Sequence, residues 1–565
     1  MVPLHFGHES VNSTVATVTP AGTHCVIGSG PAGVACAQAL LERGARVRLL
    51  DAGVRLEEER AKAVAEMGRM PRSEWKEEAV KLIKEGTKAD TKGIPLKLLY
   101  GSDFPYRYAE EHLPADYLGV GLRPSLAQGG LSTVWGAAML PYLDRDLNQW
   151  PMRVAELAPH YAAVANMIGL SARQDSLEAQ FPVYATEPRP LELSRQASLV
   201  AGQLQRNQSR LANAGITFGQ ARVAVQAGNE GRGAKFEIRN PKSEIRSGGC
   251  VYCGLCMYGC PYGYIYNSAA TVAELRRDPK FSYEPDVIVT RARETTNGIR
   301  VEGYNRLDRS PVVVEACRAY LAAGVIPSTQ ILLRSMGVYD RAVLMKDSQY
   351  FLVPLVLRKS SGSVRDEALH TLSQLFVEIF DTEVSPHTVH LQIYSYNDLI
   401  GQAVSAMLGP LRRPLDFVAR AAENRLMVVQ GYLHSDYSSQ IAVALRRQAA
   451  GPDRLRLEVR PNSETRPMIK RVLRKLMHHA GDLGGWPLPF MLQVAEAGRG
   501  FHSGGTFPMR AAPGDLETDV LGRPKGWQRL HVVDSSVFPS IPATTITFSV
   551  MANARRIGWE TVSIS

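Results

Sequence analysis

Four of the chain's seven cysteines crowd into one short stretch: Cys250, Cys253, Cys256 and Cys260, with Pro261 next. The spacing C-x2-C-x2-C-x3-C-P is the run with which bacterial ferredoxins hold iron–sulfur clusters. Two residues between thiols let successive sulfurs turn towards one centre, and Pro261 stops the stretch from continuing as a helix. Three readings stay open. In the first, Cys250, Cys253 and Cys256 ligate an iron–sulfur cluster, which would need a three-iron core, a non-cysteine ligand or an unusual wrap that brings in Cys260. In two-cluster ferredoxins the fourth cysteine serves the other cluster, and this chain has no second run. In the second, Gly254, Gly259, Pro261 and Gly263 shape a tight loop with no cluster. The third, a structural zinc, fits least, because zinc sites pair two knuckles set well apart in the chain.

A second motif lies near the N-terminus, in "THCVIGSGPAGVACAQALLERGARVRLLDAG". A short apolar strand runs into Gly28-x-Gly30-x-x-Gly33, and the apolar positions that follow recur at helical spacing up to Gly44. "RVRLL" makes a second strand, and Asp51 stands at its end. Each part suits a dinucleotide. Gly28 permits a tight turn, Gly30 lets the backbone approach a pyrophosphate, and Gly33 lets helix and strand pack closely. The free N–H groups of the helix start favour phosphate, and Asp51 can accept ribose hydroxyls. The motif alone does not choose between FAD and NAD.

Three further stretches, "AQGGLSTVWGAAMLP" (127–141), "LAAGVIPSTQILLRSMG" (321–337) and "FHSGGTFPM…LHVVDSSVFPSIPATTITFSVMANARRIG" (501–558), resemble the glucose-methanol-choline (GMC) oxidoreductase family. The resemblance implies an α/β protein: an FAD-binding, Rossmann-like GMC-type domain beside a substrate domain built on a mostly antiparallel sheet. It implies that Gly28, Gly30, Gly33 and Asp51 bind the ADP half of FAD. Gly129, Gly130 and Ser132 would pass the pyrophosphate and ribityl chain, and Trp135 and Gly136 would lie near the flavin ring. Asp534 would bond the ribityl or pyrophosphate region, and Thr544 and Thr545 would sit at the pyrimidine edge. "STVWG" holds no histidine, so FAD is expected to be non-covalent. "GFHSGGT" matches the segment that presents the family's active-site histidine, which makes His502 the expected general base. Most members carry a second His or Asn just before a proline near the C-terminus. Here Ile541 stands in that place, so Ser503 or Thr544 would have to help, or catalysis would be altered or lost. The implied reaction is oxidation of an alcohol, with a sugar or glycoconjugate among the candidate substrates, by hydride transfer to flavin N5. A cluster at the cysteines would pass flavin electrons to an external acceptor.

These groups need a scaffold. The spans expected are FAD-binding at 1–150, 246–340 (with the cysteine loop) and 496–565, and substrate or cap regions at 151–245 and 341–495. Residues 189–215 read as one amphipathic helix. "SQLFVEIFD", "HTVHLQIYSYN", "RLMVVQGYLHSDYSSQIAVAL" and "DRLRLEVRP" alternate with period two, as antiparallel strands do. Tyr394, Tyr396, Tyr432, His434 and Tyr437 could line a pocket or pair across strands. "LIGQAVSAMLGPLRRPLDFVARAAENR" reads as a helical pair capping the pocket. The 565 residues carry a net charge of +10, without any long Lys/Arg block, so nucleic acid is not an expected partner. No apolar run is long enough to span a bilayer, so membrane contact is at most peripheral. The N-terminus lacks a signal-peptide pattern, and the clustered, odd-numbered cysteines suit a reducing, cytoplasmic protein.

Overall fold

This computed structural model describes residues 22–86, 96–228, 248–408 and 414–562, with residue 94 and the short strand Ala16–Thr17. Most of the N-terminal stretch read for a signal peptide lies outside the described residues.

The dinucleotide motif folds as its spacing predicts. Thr23–Ile27 is a fully buried strand, Pro31–Glu42 a helix, and Arg46–Leu50 the parallel neighbour of the first strand. Proline at the helix start has its φ already set and needs no N–H partner there. The parallel sheet runs Leu530–Val532, Arg318–Leu321, Thr23–Ile27, Arg46–Leu50, Phe281–Glu284. Its strands come from three distant parts of the chain. The C-terminal helix Ile546–Glu560 lies against Pro31–Glu42, and Gly558 permits the approach, since a Cβ there would stand 2.9 Å from the Cys36 carbonyl oxygen. Cys25 and Cys36 are wholly buried packing residues of this core.

The second large layer is antiparallel: Gly485–Pro487, Tyr350–Leu357, Leu426–Tyr432, Val389–Tyr394, Leu375–Ile379 and Ile216–Gln220, with Gln493–Val494 beside Tyr350–Leu357. The period-two pattern decides its two faces. Phe351, Val353, Val377, Leu391, Ile393, Met427 and Val429 point to one side, where they pack with Val200 and Leu204 of Arg195–Arg206 and with Met468, Ile469 and Val472 of Thr465–His478. The alternate residues Tyr350, Tyr432, His390 and Glu378 form a cross-strand row on the other side, with Gln430, Gln392 and Phe376 beside it. Two of the expected strands, Gln440–Arg446 and Arg454–Arg460, belong instead to a separate sheet with Val343–Asp347, Ser503–Gly504 and Ala115–Leu118.

The helix expected over 189–215 is shorter and broken. Pro188 and Pro190 hold the chain before it extended, and Ser194 caps Arg195–Arg206 by accepting from the Ala197 N–H. Asn207, at φ −109°, separates it from Gln208–Asn213.

Candidate active site

Two glycine turns face each other at the C-terminal edge of the parallel sheet. Gly28 holds φ 104°, and a Cβ there would stand 2.5 Å from the Ala322 carbonyl oxygen. A Cβ on Gly33 would stand 1.9 Å from the Gly28 carbonyl oxygen, so the helix can sit this close to its strand only with glycine. Gly30 differs from both: a Cβ on it would meet nothing within 4 Å. Gly130 packs directly beside it: a Cβ on Gly130 would come within 3.2 Å of the Gly30 Cα, while the Cβ direction of Gly30 itself stays open. One hydrogen-bond chain ties the parts together. The Gly129 N–H donates to Ser29 Oγ at 2.9 Å, and Ser29 Oγ donates to Asp51 at 2.7 Å. Asp51 also accepts from Tyr283 at 2.9 Å. Burial raises its carboxyl to about 6 against the pull of the Ser29 and Tyr283 hydrogen bonds. Asp534 is buried too, but its oxygens accept from the Gly324 N–H, Ser328 Oγ and the Ser536 N–H, so it anchors the entry to helix Val325–Ser335.

Beyond these turns opens a cavity of about 240 Å³. Ser132, Trp135, Gly136 and Thr545 line one side, and Tyr350, Gln392, Tyr394, Gln430 and Tyr432 of the antiparallel sheet line another. Arg499, Phe501 and His502 close it. Ser132 is held by its bonds to the Gly129 carbonyl and Ser268, and Thr545 accepts from the Leu140 N–H at 2.7 Å. The Thr544 hydroxyl is buried without a partner among the described residues and does not line the cavity.

His502 sits in a constrained loop. Asp347 grips the loop on both sides, accepting from the Gly498 N–H at 2.7 Å and from Ser503 Oγ at 2.8 Å. Phe501 just before it is left-handed, at φ 57°, a conformation that costs about 1–3 kcal/mol in a non-glycine residue. The imidazole stacks on Tyr432 at 4.9 Å between ring centres. Its Nδ1 is buried with no partner among the described residues. Burial, helped by the nearby His390, lowers its pKa to about 3, so the ring is neutral and holds a free lone pair. Lys97 also borders the cavity, donates to the Trp135 carbonyl at 3.0 Å, and is lowered by burial to about 8.

Residues 454–554 match the model of the GMC oxidoreductase family. That C-terminal segment is of the GMC oxidoreductase type. No curated protein matches the sequence. Among solved structures, the chain resembles pyridoxine 4-oxidase from Mesorbium loti at 15% identity and TM-score 0.56, over 95% of this chain and 99% of that one. It resembles formate oxidase at 14% identity and TM-score 0.57, over 96% and 98%. The same figures hold for a variant of Aspergillus oryzae RIB40 formate oxidase made to follow FAD modification. At such identities the likeness is one of fold.

Several expectations for this site need correction. Ile541 is wholly buried in the core and does not line the cavity. Ser503 spends its hydroxyl on Asp347, so it is not free to replace a second catalytic group. Of the five candidate aromatic and histidine residues of the middle region, Tyr394 and Tyr432 reach the cavity, while Tyr396, His434 and Tyr437 do not. Asp398–Leu408 and Asp416–Glu423 are the expected helical pair, yet neither contributes to the cavity wall. Asp398 pairs with Lys84, which in turn lies over Tyr258 of the cysteine segment. Lys97, Gln392, Gln430, Arg499 and Asp347 were not singled out from the sequence. A signal for two of them was present: Gln392 and Gln430 are uncharged polar residues on the alternate face of otherwise apolar strands. A solvated face would carry charge.

Proposed function

We propose that this chain is a GMC oxidoreductase that binds FAD non-covalently and oxidises the alcohol of a small molecule, such as a sugar or glycoconjugate, with His502 taking the hydroxyl proton. The observation that carries this reading is that His502 opens onto the same cavity as Ser132, Trp135, Gly136 and Thr545, beside the paired glycine turns. The residues fit the cofactor. Gly30 leaves open space beside its backbone for a pyrophosphate, Asp51 stands at ribose distance along the motif, and the cavity can take a flavin ring. Bound there, FAD would supply the hydride acceptor.

The chain's own groups do the rest. His502 is neutral, so it can accept a proton, and the Tyr432 stack and the Asp347 clamp fix its orientation. Arg499 gives Nη2 to Glu496 and keeps Nη1 buried without a partner among the described residues, a donor ready for a substrate oxygen. Gln392 and Gln430 add uncharged donors and acceptors suited to hydroxyl groups. Pyridoxine 4-oxidase and formate oxidase, which share the fold, support an oxidation of this kind. The electron acceptor in this reading is oxygen or an external carrier protein. Free, clustered cysteines support a cytoplasmic location.

Acid precipitation should leave the yellow cofactor in the supernatant, and anaerobic mixing with a panel of sugar and aliphatic alcohols should bleach it. His502→Ala should keep FAD and slow bleaching by about 10²–10⁴-fold. Unchanged bleaching would remove His502 from the mechanism. Ile541 favours a second reading, a flavin-binding subunit without its own catalysis. That reading expects stoichiometric FAD and no bleaching by any alcohol.

A further inference from the structure

We propose that Cys250, Cys253, Cys256 and Cys260 hold an iron–sulfur cluster, placed to draw electrons from the flavin cavity. The first half stands on the cysteines alone; the second rests on the function proposed above.

All four cysteines are free of disulfides, Cys253 and Cys256 buried and Cys250 and Cys260 partly so, and together they line one small void of about 20 Å³. Its other walls are apolar or aromatic, among them Val225, Tyr262, Tyr264 and Leu372. Four cysteine side chains gathered on one point, rather than spread through the core, is an arrangement that ligation of a cluster accounts for. The backbone is bent to achieve it. Tyr252, Gly254, Gly259 and Gly263 all take positive φ, so the chain reverses around the void after each cysteine or beside it.

The sulfurs are also supplied with donors. The Tyr252 N–H is directed at Cys250, the Leu255 N–H at Cys253, and the N–H groups of Tyr262, Tyr264 and Ile265 at Cys260. Such bonds favour thiolate over thiol, and hydrogen bonds to the sulfurs are one way a protein tunes a cluster.

Spacing separates one ion from several. A tetrahedral zinc with Zn–S bonds of about 2.3 Å holds its sulfurs roughly 3.8 Å apart. Among the described residues, the one set of three His, Cys, Asp or Glu ligand atoms all within 4.8 Å of one another is His387, His434 and Asp436. There the His434 Nδ1 already accepts the Asp436 N–H, so that set is a hydrogen-bonded cluster. No three of the cysteine sulfurs come that close. A cluster with one thiolate on each of several irons spreads its ligands more widely than a single zinc does.

The void adjoins the active site. Lys97 borders the flavin cavity and bonds the Trp135 carbonyl, and it also feels the charge of Cys256. Trp135 in turn donates to the Tyr266 carbonyl at 2.9 Å, just beyond the cysteine segment. A two-electron-reduced flavin would pass its electrons one at a time through the cluster to a one-electron redox protein, and its protons would go to water.

The test uses full-length protein produced with added iron and purified without oxygen. Iron, acid-labile sulfide, zinc and FAD are measured per chain. About three to four irons with matching sulfide are expected. Cys253→Ser and Cys256→Ser should each lose more than half the iron while keeping FAD, and Cys317→Ser should lose none. Anaerobic dithionite titration should take up about three electrons per FAD, two for the flavin and one for the cluster. Trace iron and sulfide after anaerobic reconstitution with ferrous iron and sulfide would overturn the proposal, as would one zinc per chain without sulfide. These counts come from the parent protein, so they decide the matter even if the variants fail to fold. Iron and sulfide without FAD would keep the cluster and refute the flavin reading. Two electrons per FAD in iron-loaded protein would refute the relay.

Discussion

Gly30 and Gly33 lie in one turn, three residues apart, and alanine at each should fail in a different way. A Cβ on Gly33 would stand 1.9 Å from the Gly28 carbonyl oxygen, a backbone atom on a buried strand end that has nowhere to go. Relief requires moving the helix Pro31–Glu42 off the sheet, against a core that includes Ala35, Ala37 and Leu40. The cost is on the order of 3 kcal/mol, at the upper end for an overpacked core. At Gly30 the protein offers no collision, and its φ of −65° and ψ of 178° suit alanine. The fold should therefore be unchanged or slightly stabilised, by about 0.4–1 kcal/mol through the unfolded chain. The methyl would occupy the space kept open for the pyrophosphate. Each backbone N–H bond to phosphate lost is worth about 1.5–3 kcal/mol, or roughly tenfold to a hundredfold in affinity. Calorimetric titration of FAD into flavin-free protein, with circular dichroism melts of both variants, gives the comparison. Gly30→Ala should melt like the parent and bind FAD at least tenfold more weakly, while Gly33→Ala should melt earlier. A Gly30→Ala protein that binds FAD as tightly as the parent would refute the placement of the pyrophosphate beside Gly30.

With His502 held near 3, its neutral form dominates at every higher pH, so stopped-flow flavin reduction should show no inflection near 6.5 and should fall only as pH drops towards 3; an ordinary histidine titration would show that the ring is not desolvated. Arg499→Lys removes the planar donor pair, so it should raise KM for a reducing alcohol by about tenfold or more with little change in kcat, and an unchanged KM would take Arg499 out of substrate binding. Asp347→Asn should lower the flavin-reduction rate with FAD still bound, because the clamp on the His502 loop loosens; a rate equal to the parent's would make Asp347 purely structural. Stability should fall as pH drops from 6.5 to 4, because His24, His160 and His531 are lowered to about 4 and are neutral folded but charged unfolded. Asp51 and Asp347, raised to about 6, and Asp146, Asp175, Glu378 and Asp534, also raised by burial, act in the opposite sense, against seven lowered histidines in all. A melting temperature flat across that range would contradict the burial of these rings.

Two features were legible along the chain because their chemistry is local. Gly28, Gly30, Gly33 and Asp51 act within one strand–turn–helix–strand unit, whose geometry depends on neighbours in sequence. The cysteine run is likewise defined by spacing, although only the fold shows its sulfurs turned onto a common void. The period-two stretches of the middle region announced antiparallel strands for the same reason: alternation is a property of each strand alone. Which sheet a strand joins is not. Gln440–Arg446 and Arg454–Arg460 carry the same pattern as Leu426–Tyr432 yet leave for another sheet, because pairing is settled by long-range register. The cavity depends on that register. Lys97, Gln392, Gln430, Arg499 and His502 come from segments hundreds of residues apart and meet only where the antiparallel sheet closes over the glycine turns. Asp347 and Ile541 show the same limit in opposite directions. The first gains a role from contacts 151 and 156 residues away, and the second, placed by alignment beside the reacting centre, turns its side chain into the core. Local spacing determined the motifs; packing between distant segments decided which of their neighbours reach the chemistry.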